Sequence, residues 1–544
     1  MAMSQLNLGQ LGKVLAALVL TAAAAFALWA WLGREIPLPD APGGKLQCMS
    51  YTPYRGGQTP FDKEFVAPRA QVEEDLAKLA AATHCVRTYS SAQGLDAVAE
   101  IAPAHGLDVL LGIWIGRAAK DNAREIEAAL AAAQAHPAAV KALVVGNETL
   151  LRRELTAEQL IEQIESVRAR TRLPLTYADV WEFWLQNPQV ASHVDFITVH
   201  ILPYWEDLPV SIEGSLVHVQ EVLDKVKAAF PGKSILVGET GWPSEGRSRE
   251  GAVPSRVNQA RFVREFVQLA QRNDVRYNLI EAFDQPWKRK LEGTVGGYWG
   301  LFGEQRNAKW PLVGPVREYP HWQAAALLAS ATALGLLVWG LWRGLELSLQ
   351  RWVALALVGA ALGCLLVLQL RLAVAASKHF AEWAFYLALI FSSGVAWLTL
   401  GLKAVAPFSG WAVARPAPLE DVRTWLRKPR FDELDVPLLL GIVRGILVFS
   451  AAAIAMSLVF DARYRDFPIA IFAPAAIAFL ARGPAAAGPP AETRMERALA
   501  AVILVCVPVG LAVEKWVNVE AIAWAITLVL IAWPWRPHLA PSRS

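Results

Sequence analysis

The sequence has little of what usually identifies a site for metal, nucleotide or nucleic acid. Only 4 of its 544 residues are cysteine, and no group of Cys and His residues has the spacing of a metal site. Charged residues make up 19% of the chain and balance to a net charge of +3, which leaves no basic footprint for nucleic acid. No Gly-rich phosphate loop follows a predicted strand. We therefore expect no metal, no cofactor and no nucleic-acid partner.

The cysteines also say little about disulfides. Cys364 and Cys506 lie in apolar runs, where a thiol acts as a small hydrophobe. Cys48 and Cys85 fall on neighbouring predicted strands. Because adjacent parallel strands seldom hold disulfide geometry, we favour free thiols there, with a bridge as the alternative.

Apolar residues, in contrast, are abundant: they make up 54% of the chain, and its mean hydropathy is +0.31. These values are too high for a purely soluble protein and too low for a purely embedded one. The first apolar run lacks a small-residue cleavage site, so we interpret it as an uncleaved anchor rather than a signal peptide. The sequence predicts about eight membrane-spanning helices, at 14–32, 323–342, 352–375, 381–402, 437–460, 467–481, 497–513 and 519–535.

Basic residues predict the orientation of these helices, because cytoplasmic loops carry an excess of Lys and Arg. We expect a cytoplasmic tail and anchor at 1–34, an extracytoplasmic domain at 35–320 and about seven further helices at 321–544, with both termini inside. Glu382 and Arg444 lie near predicted span ends, where we favour side chains that reach the interface over a glycan or proton path. The basic residues placed inside are Arg343, Arg351, Lys403, Arg415, Arg423, Arg427, Lys428, Arg430, Arg482, Arg494, Arg497, Arg536 and Arg543.

Residues 35–320 alternate between predicted strands and helices. Eight strands spaced about 30–40 residues apart are typical of a (β/α)8 TIM barrel, whereas a doubly wound sheet usually has fewer repeats. The strand candidates are 46–51, 84–89, 107–113, 140–146, 173–178, 194–202, 234–238 and 277–283.

Two glutamates each end an apolar run of this region. Glu148 ends the run that starts at Leu143, and Glu239 ends the run that starts at Ile235. On the strand count they close strands four and seven, so both carboxylates are predicted at the C-terminal end of the barrel, where catalytic residues gather. Most glycosidases cleave the glycosidic bond with two carboxyl groups in one pocket.

The phrases around these glutamates resemble those of a known family. Val145-Gly-Asn-Glu148 and Gly238-Glu-Thr-Gly-Trp-Pro-Ser244 resemble the two signatures of glycoside hydrolase family 17, the β-1,3-glucanase family. Arg87-Thr-Tyr89 and Glu281-Ala-Phe-Asp-Gln-Pro-Trp-Lys288 resemble its strand-two and strand-eight motifs. The resemblance covers all of 35–320. It departs at Gln285, where many relatives carry glutamate, and this puts subsite preference in question.

The resemblance implies retaining catalysis, with Glu239 as an ionised nucleophile and Glu148 as a general acid/base that stays protonated until needed. It implies that the Asn147 amide bonds the sugar 2-hydroxyl, with a strand-end cap as the alternative. Glu182, after predicted strand five, is a third acidic candidate with a subsite or structural role. The run Glu73-Glu-Asp75 has the pattern of a solvated helix face.

Several further side chains lie at or just past predicted strand ends or within the motifs. We expect them to bind substrate, with packing or loop anchoring as the alternative, and we treat His193 and His218 as structural. Trp205 and Trp299 are equally balanced between stacking on sugar and packing. The substrate-binding candidates are Asn147, Tyr51, Tyr89, His200, Tyr204, Trp242, Phe283, Trp287 and Lys288.

The apolar part resembles the bacterial membrane-anchored branch of the family, often called β-(1,6)-glucan synthase. This implies a multi-pass protein of the bacterial inner membrane with its catalytic domain in the periplasm, where it remodels, branches or cyclises β-(1,3),(1,6)-glucan. A plain endo-β-1,3-glucanase and a non-catalytic glucan-binding or export component are the alternatives. The expected partners are β-glucan, the lipid bilayer and a separate membrane glucan synthase.

Overall fold

The computed structural model of the protein describes residues 8–405, 414–482 and 493–535. The chain divides into a β/α unit, Glu35–Arg317, and a helical unit formed by Met1–Arg34 and Glu318–Ser544. The basic residues Arg536 and Arg543 lie outside the described residues. In chain order, the described α-helices are α1 Leu8–Leu32, α2 Arg69–Leu79, α3 Ala97–Ile101, α4 Ala119–Ala135, α5 Ala157–Arg168, α6 Trp181–Gln186, α7 Ser215–Ala229, α8 Arg256–Arg272, α9 Arg289–Gly296, α10 Trp322–Trp342, α11 Leu349–Ala376, α12 Phe380–Val405, α13 Leu419–Arg427, α14 Val436–Phe460, α15 Ile469–Arg482, α16 Arg494–Glu514 and α17 Val519–Ala532.

The β/α unit is built on one parallel sheet of eight strands, which pair in the order β1 to β8. Beyond β8, the Leu279 N–H donates to the Cys48 carbonyl at 2.9 Å, and the Ser50 N–H donates to the Leu279 carbonyl at 2.8 Å. The chain after the last strand is thus hydrogen-bonded to the first. This confirms an eight-stranded parallel sheet consistent with a (β/α)8 domain. The strands are β1 Met49–Ser50, β2 Cys85–Arg87, β3 Asp108–Ile113, β4 Val140–Asn147, β5 Leu175–Val180, β6 Ile197–His200, β7 Ile235–Glu239 and β8 Arg276–Tyr277.

The helices between the strands cover the sheet with apolar faces. Helix α8 shows the pattern: Phe262 and Phe266 are fully buried at i and i+4, and the Ser255 hydroxyl caps the helix by accepting the Asn258 N–H at 3.0 Å. Such spacing places the apolar residues on one helix face. Most buried apolar residues of this layer and of the strands form one cluster, and Ala142, Phe196 and Leu236 form a small separate one.

Cys48 and Cys85 form a disulfide, with their Cα atoms 4.3 Å apart, so the expectation of free thiols was wrong. The parallel register pairs Met49 with Val86, which sets the two cysteines directly opposite one another. Cys48 immediately precedes the first residue of β1, and Cys85 is the first residue of β2, so the bridge lies at the start of both strands.

Among its described residues, the helical unit contains six helices that are long and apolar enough to cross a membrane, namely α1, α10, α11, α12, α14 and α16. Two shorter apolar helices, Ile469–Ala481 and Val519–Trp535, match the remaining predicted spans. That these eight segments cross a bilayer stays a prediction.

Arg444 has a partner within the helical unit, and its predicted place near a membrane interface stays a prediction. Its side chain is 4% exposed and pairs with the fully buried Glu496 at 2.6 Å, so it is satisfied inside the helical unit. Glu382 accepts the N–H groups of Lys378 and His379 at the start of its own helix, at 2.6 and 3.2 Å.

Candidate active site

The two motif glutamates lie at the ends of β4 and β7. The β4 ladder shifts register between Val144 and Asn147, and this shift coincides with left-handed φ angles of +86° at Gly146 and +52° at Glu148. Glycine tolerates such an angle, whereas for glutamate it is uncommon. The distortion thus coincides with the point at which Glu148 leaves the end of β4.

Glu148 and Glu239 converge on His200, the last residue of β6. One carboxylate oxygen from each glutamate and one ring nitrogen of His200 all lie within 4.8 Å of one another. Retaining glycosidases hold their two carboxyl groups about 5–5.5 Å apart, close enough for direct attack on the anomeric carbon. The separation therefore suits a retaining pair.

His200 connects the two carboxylates from a fully buried position. Its Nδ1 lies 2.8 Å from Glu148 Oε1, and its Nε2 lies 3.6 Å from Glu239 Oε1. Arg87 approaches the same nitrogen, with Nη1 at 3.5 Å from Nε2. Although these carboxylates and the imidazole could in principle ligate a metal, the adjacent guanidinium disfavours a cation at this position.

Arg87, on β2, is a fully buried cation that contacts the residues around both glutamates. Its Nη1 donates to the Gly238 carbonyl at 2.8 Å and lies 3.6 Å from Glu239. Its Nη2 donates to Asn147 Oδ1 at 2.5 Å. Arg87 thus orients the Asn147 amide and supplies positive charge beside Glu239, a role that the sequence did not reveal.

The surroundings of Glu148 in the unliganded site favour its ionised form. Burial raises the pKa of Glu148, but the hydrogen bond from His200 and the charges of His200, Arg152 and Lys288 outweigh it, so that the pKa is lowered. In the unliganded site this direction runs against the protonated Glu148 expected from the sequence. The sequence could not show that His200 would donate to this carboxylate.

Tyr89 and Lys288 lie close to the pair. The guanidinium of Arg87 lies 4.9 Å from the centre of the Tyr89 ring. Burial raises the pKa of Tyr89 well above its usual range, and the charge of Glu239 adds to the effect. Lys288 pairs with the buried Glu281. Burial lowers the pKa of Lys288, but Glu281 and Glu292 raise it overall, and burial raises the pKa of Glu281 to about 7.

Tyr51 and Phe283 are engaged in packing instead. Tyr51 donates its hydroxyl to Asp75 Oδ2 at 3.2 Å, and Asp75 is itself fully buried and paired with Arg306 at 2.9 Å. Asp75 therefore contradicts the solvated helix face expected of its run. Phe283 is fully buried with the Arg306 guanidinium 4.3 Å from its ring centre.

The aromatic residues after β6 and β7 form a packed cluster. Tyr204 and Trp242 are fully buried, with the Tyr204 hydroxyl donating to the Arg247 carbonyl at 2.7 Å and the Trp242 indole to the Val253 carbonyl at 2.9 Å. Trp299 is also buried and stacks with the half-buried Trp205 at 6.1 Å. Tyr204, Trp242 and Trp299 therefore support the loops, and Trp205 has the accessible ring.

Trp287 also keeps an accessible ring. It is half-buried, and its indole N–H donates to Gln285 Oε1 at 2.8 Å. Gln285, the departure from the family pattern, is fully buried and orients this tryptophan.

Sequence reasoning missed two buried acids at the same end of the sheet. Asp284 pairs with Lys309 at 2.6 Å, and Lys309 also donates to the Ser244 hydroxyl at 2.8 Å, which joins the loops after β7 and β8. Asp179 lies on β5 beside β4, and burial raises its pKa to about 6. Its signal in the sequence was its place directly after a predicted strand, the same signal that identified the two glutamates.

Burial and Glu206 raise the pKa of the other acidic candidate, Glu182, to about 7.

Comparison with known proteins places these features in context. A family model described as the BtgE/BtgC glycoside hydrolase domain matches residues 48–300. A glucan 1,3-beta-glucosidase of Arthroderma benhamiae is 30% identical over 263 residues, covering 44% of this chain and 83% of the relative. One from Saccharomyces cerevisiae is 26% identical, covering 44% and 84%. An active-site mutant of Rhizomucor miehei beta-1,3-glucanosyltransferase, solved with laminaritriose, is 25% identical with a TM-score of 0.43, covering 48% of this chain and 95% of that one.

Proposed function

Because this chain belongs to the BtgE/BtgC-type glycoside hydrolases of family 17, we propose that it is a retaining β-glucan transglycosylase that acts on β-1,3-glucan. The observation that carries the proposal is the convergence of Glu148 and Glu239 to within 4.8 Å around His200. Its relatives are named as glucan 1,3-beta-glucosidases and as a beta-1,3-glucanosyltransferase, and these names supply the substrate class.

The proposed reaction has two steps. In the first, Glu239 attacks the anomeric carbon while Glu148 gives its proton to the departing glycosidic oxygen, which leaves a glycosyl ester on Glu239. In the second, Glu148 takes a proton from an acceptor hydroxyl, which attacks the same carbon and releases Glu239. Asn147, held by Arg87, is placed to bond the sugar 2-hydroxyl, an interaction that strengthens in the transition state.

The lowered pKa of Glu148 suits the second step, which needs a base. For the first step, a bound glucan that displaces water and separates Glu148 from His200 would let burial raise this pKa again. Esterification of Glu239 then removes a negative charge beside Glu148, which favours its ionised form for the return step.

The proposed location is the bacterial inner membrane, with the β/α unit in the periplasm. The apolar helices, the positive-inside pattern and the Cys48–Cys85 disulfide support it, since disulfides persist in oxidising compartments. Reporter fusions at Ser377 and Arg430 test the topology: we expect them on opposite sides of the membrane, and finding both on one side contradicts it.

Transfer and hydrolysis share the glycosyl-enzyme and differ in what receives the sugar. We favour transfer to glucan, giving elongated, branched or cyclic β-(1,3),(1,6)-glucan, because the helical unit offers a means to hold the enzyme beside a separate membrane glucan synthase. The test is to incubate the full chain in detergent with β-1,3-glucan oligosaccharides and to resolve the products by mass and linkage. Longer, branched or cyclic products support transfer, and only shorter ones establish the endo-glucanase alternative.

A further inference from the structure

We propose that Asp179, together with Tyr177, is a positioning residue that holds Glu148 in the geometry needed to protonate the glycosidic oxygen. The inference rests on the proposed function of Glu148 as the general acid/base. Neither Asp179 nor Tyr177 belongs to the motifs that identified the site. Both lie on β5, the strand next to the one that carries Glu148.

The backbone of Glu148 needs support from outside its own strand. Its φ of +52° lies in the left-handed region, where a non-glycine residue persists only when its surroundings fix it. The register of β4 against β5 shifts between Val144 and Asn147, and the ladder resumes only with the pair Asn147–Ala178. The Glu148 N–H donates to the Ala178 carbonyl of β5 at 2.7 Å, which is the first link between the glutamate and that strand.

Tyr177 and Asp179 supply two further links, to the residues that follow Glu148. The Leu150 N–H donates to the Tyr177 hydroxyl at 2.9 Å. The Leu151 N–H donates to Asp179 Oδ2 at 3.4 Å. Tyr177 in turn donates its hydroxyl proton to the same carboxylate oxygen. The pair therefore captures the two consecutive N–H groups that would be left unpaired as the chain turns away from β4.

The Tyr177 ring packs closely against the motif glycine, Gly146. A Cβ atom placed on Gly146 would lie 3.2 Å from two carbons of that ring and 3.0 Å from the Thr149 hydroxyl. The motif glycine thus has a second role besides its φ angle: it admits the tyrosine that bonds the loop of Glu148.

Asp179 is built into this position and also acts on Glu148 through its charge. It is fully buried, and its other oxygen accepts the Val180 N–H at 2.8 Å. The charges of Glu148 and Asp179 repel, and this repulsion adds to burial in raising the pKa of Asp179. By the same repulsion, an ionised Asp179 favours the protonated form of Glu148. His200, Arg152 and Lys288 have the opposite effect, because they favour the ionised form of Glu148. Asp179 itself faces Tyr177 and His200 as well as Glu148.

The test compares two substrates that differ in their need for an acid. A β-1,3-glucan oligosaccharide has a sugar alcohol as leaving group and needs protonation, whereas dinitrophenyl β-laminaribioside has a stable phenolate and does not. The ratio kcat/KM, which reports the first chemical step, is measured on both with the full chain. We expect Asp179→Asn to lose about 10- to 100-fold more on the oligosaccharide than on the aryl glycoside. Tyr177→Phe, which keeps the ring, is expected to show the same selective loss.

Asp195→Asn is the matched control. Asp195 also accepts a β5 backbone N–H, that of Leu175 at 2.6 Å, at the opposite end of the strand. We expect Asp195→Asn to lower kcat/KM by the same factor on both substrates or to leave it unchanged.

The pH profile adds a second readout: Asp179→Asn should move the basic limb of kcat/KM to lower pH, because the charge that favours protonated Glu148 is gone. Equal losses on both substrates in Asp179→Asn and Tyr177→Phe, or an unmoved basic limb, would overturn the inference while leaving the proposed function standing. A wild-type chain inactive on both substrates would overturn the proposed function, and the inference with it.

Discussion

The two units of this protein both bury charged side chains, but they arrange them differently. In the β/α unit, Glu148, His200 and Glu239 converge at one end of the sheet, with the buried Arg87 beside them. In the helical unit, Arg444 and Glu496 pair directly with each other between α14 and α16. Charges that converge on one point leave interactions for a substrate to complete, whereas an isolated ion pair between two helices serves the packing. The following predictions test this difference, from the largest effect to the smallest.

Replacing the nucleophile should have the largest effect. Glu239→Gln removes the group that forms the glycosyl ester, and we expect kcat/KM on β-1,3-glucan oligosaccharides to fall at least about 1,000-fold. Glu162→Gln, an exposed change on α5, is the control and should keep full activity. Turnover at the wild-type rate by Glu239→Gln would end the assignment.

Removing the disulfide should destabilise only the β/α unit. The bridge closes a separation of 37 residues, and its loss is expected to lower the free energy of unfolding of that unit by about 4 kcal/mol. Thermal unfolding of Cys48→Ala/Cys85→Ala in detergent measures this, with Cys364→Ala in the helical unit as control. An unchanged melting transition would show that the bridge contributes little.

Breaking the buried pair should harm the stability of the helical unit and spare the chemistry. Arg444→Met leaves Glu496 buried and unpaired, which we expect to cost about 3 kcal/mol. The double change Arg444→Met/Glu496→Leu should recover most of that loss, while Arg423→Met on the exposed face of α13 should cost little. Loss of glucan cleavage in folded Arg444→Met protein would show that this pair is not merely structural.

Changing His200 should alter the pH dependence. His200→Gln removes the hydrogen bond and charge that lower the pKa of Glu148, so burial raises that pKa. The acid form then persists to higher pH, and the basic limb of kcat/KM should move upward by about one pH unit, although Arg152 and Lys288 still oppose the shift. A basic limb that stays in place or moves downward would contradict this reading of the site.

The sequence predicted the sheet and the two glutamates for one physical reason. Buried parallel strands read as apolar runs, and a polar residue that ends such a run must emerge at the same rim as its neighbours. Glu148 and Glu239 follow this rule, and so does Asp179, which was overlooked because no motif drew attention to it.

The directions of side chains could not be predicted in the same way. Tyr51 and Trp242 lie near strand ends as expected, yet both are fully buried, since a position near the rim does not decide whether a side chain faces the pocket or the packed layer. The contact of Arg87 with Asn147 joins positions 60 residues apart and depends on the closed arrangement of the strands. The disulfide likewise depended on a register that the sequence did not fix.

The most direct test of the central claim is to trap the glycosyl-enzyme. A laminaribiosyl fluoride with fluorine in place of the 2-hydroxyl slows both steps, and its reactive leaving group lets the ester accumulate. After incubation with the full chain and proteolysis, mass spectrometry should find the sugar on the peptide that contains Glu239, and Glu239→Gln should carry no label. Label on another residue, or none on a wild-type chain that turns over glucan, would contradict the account.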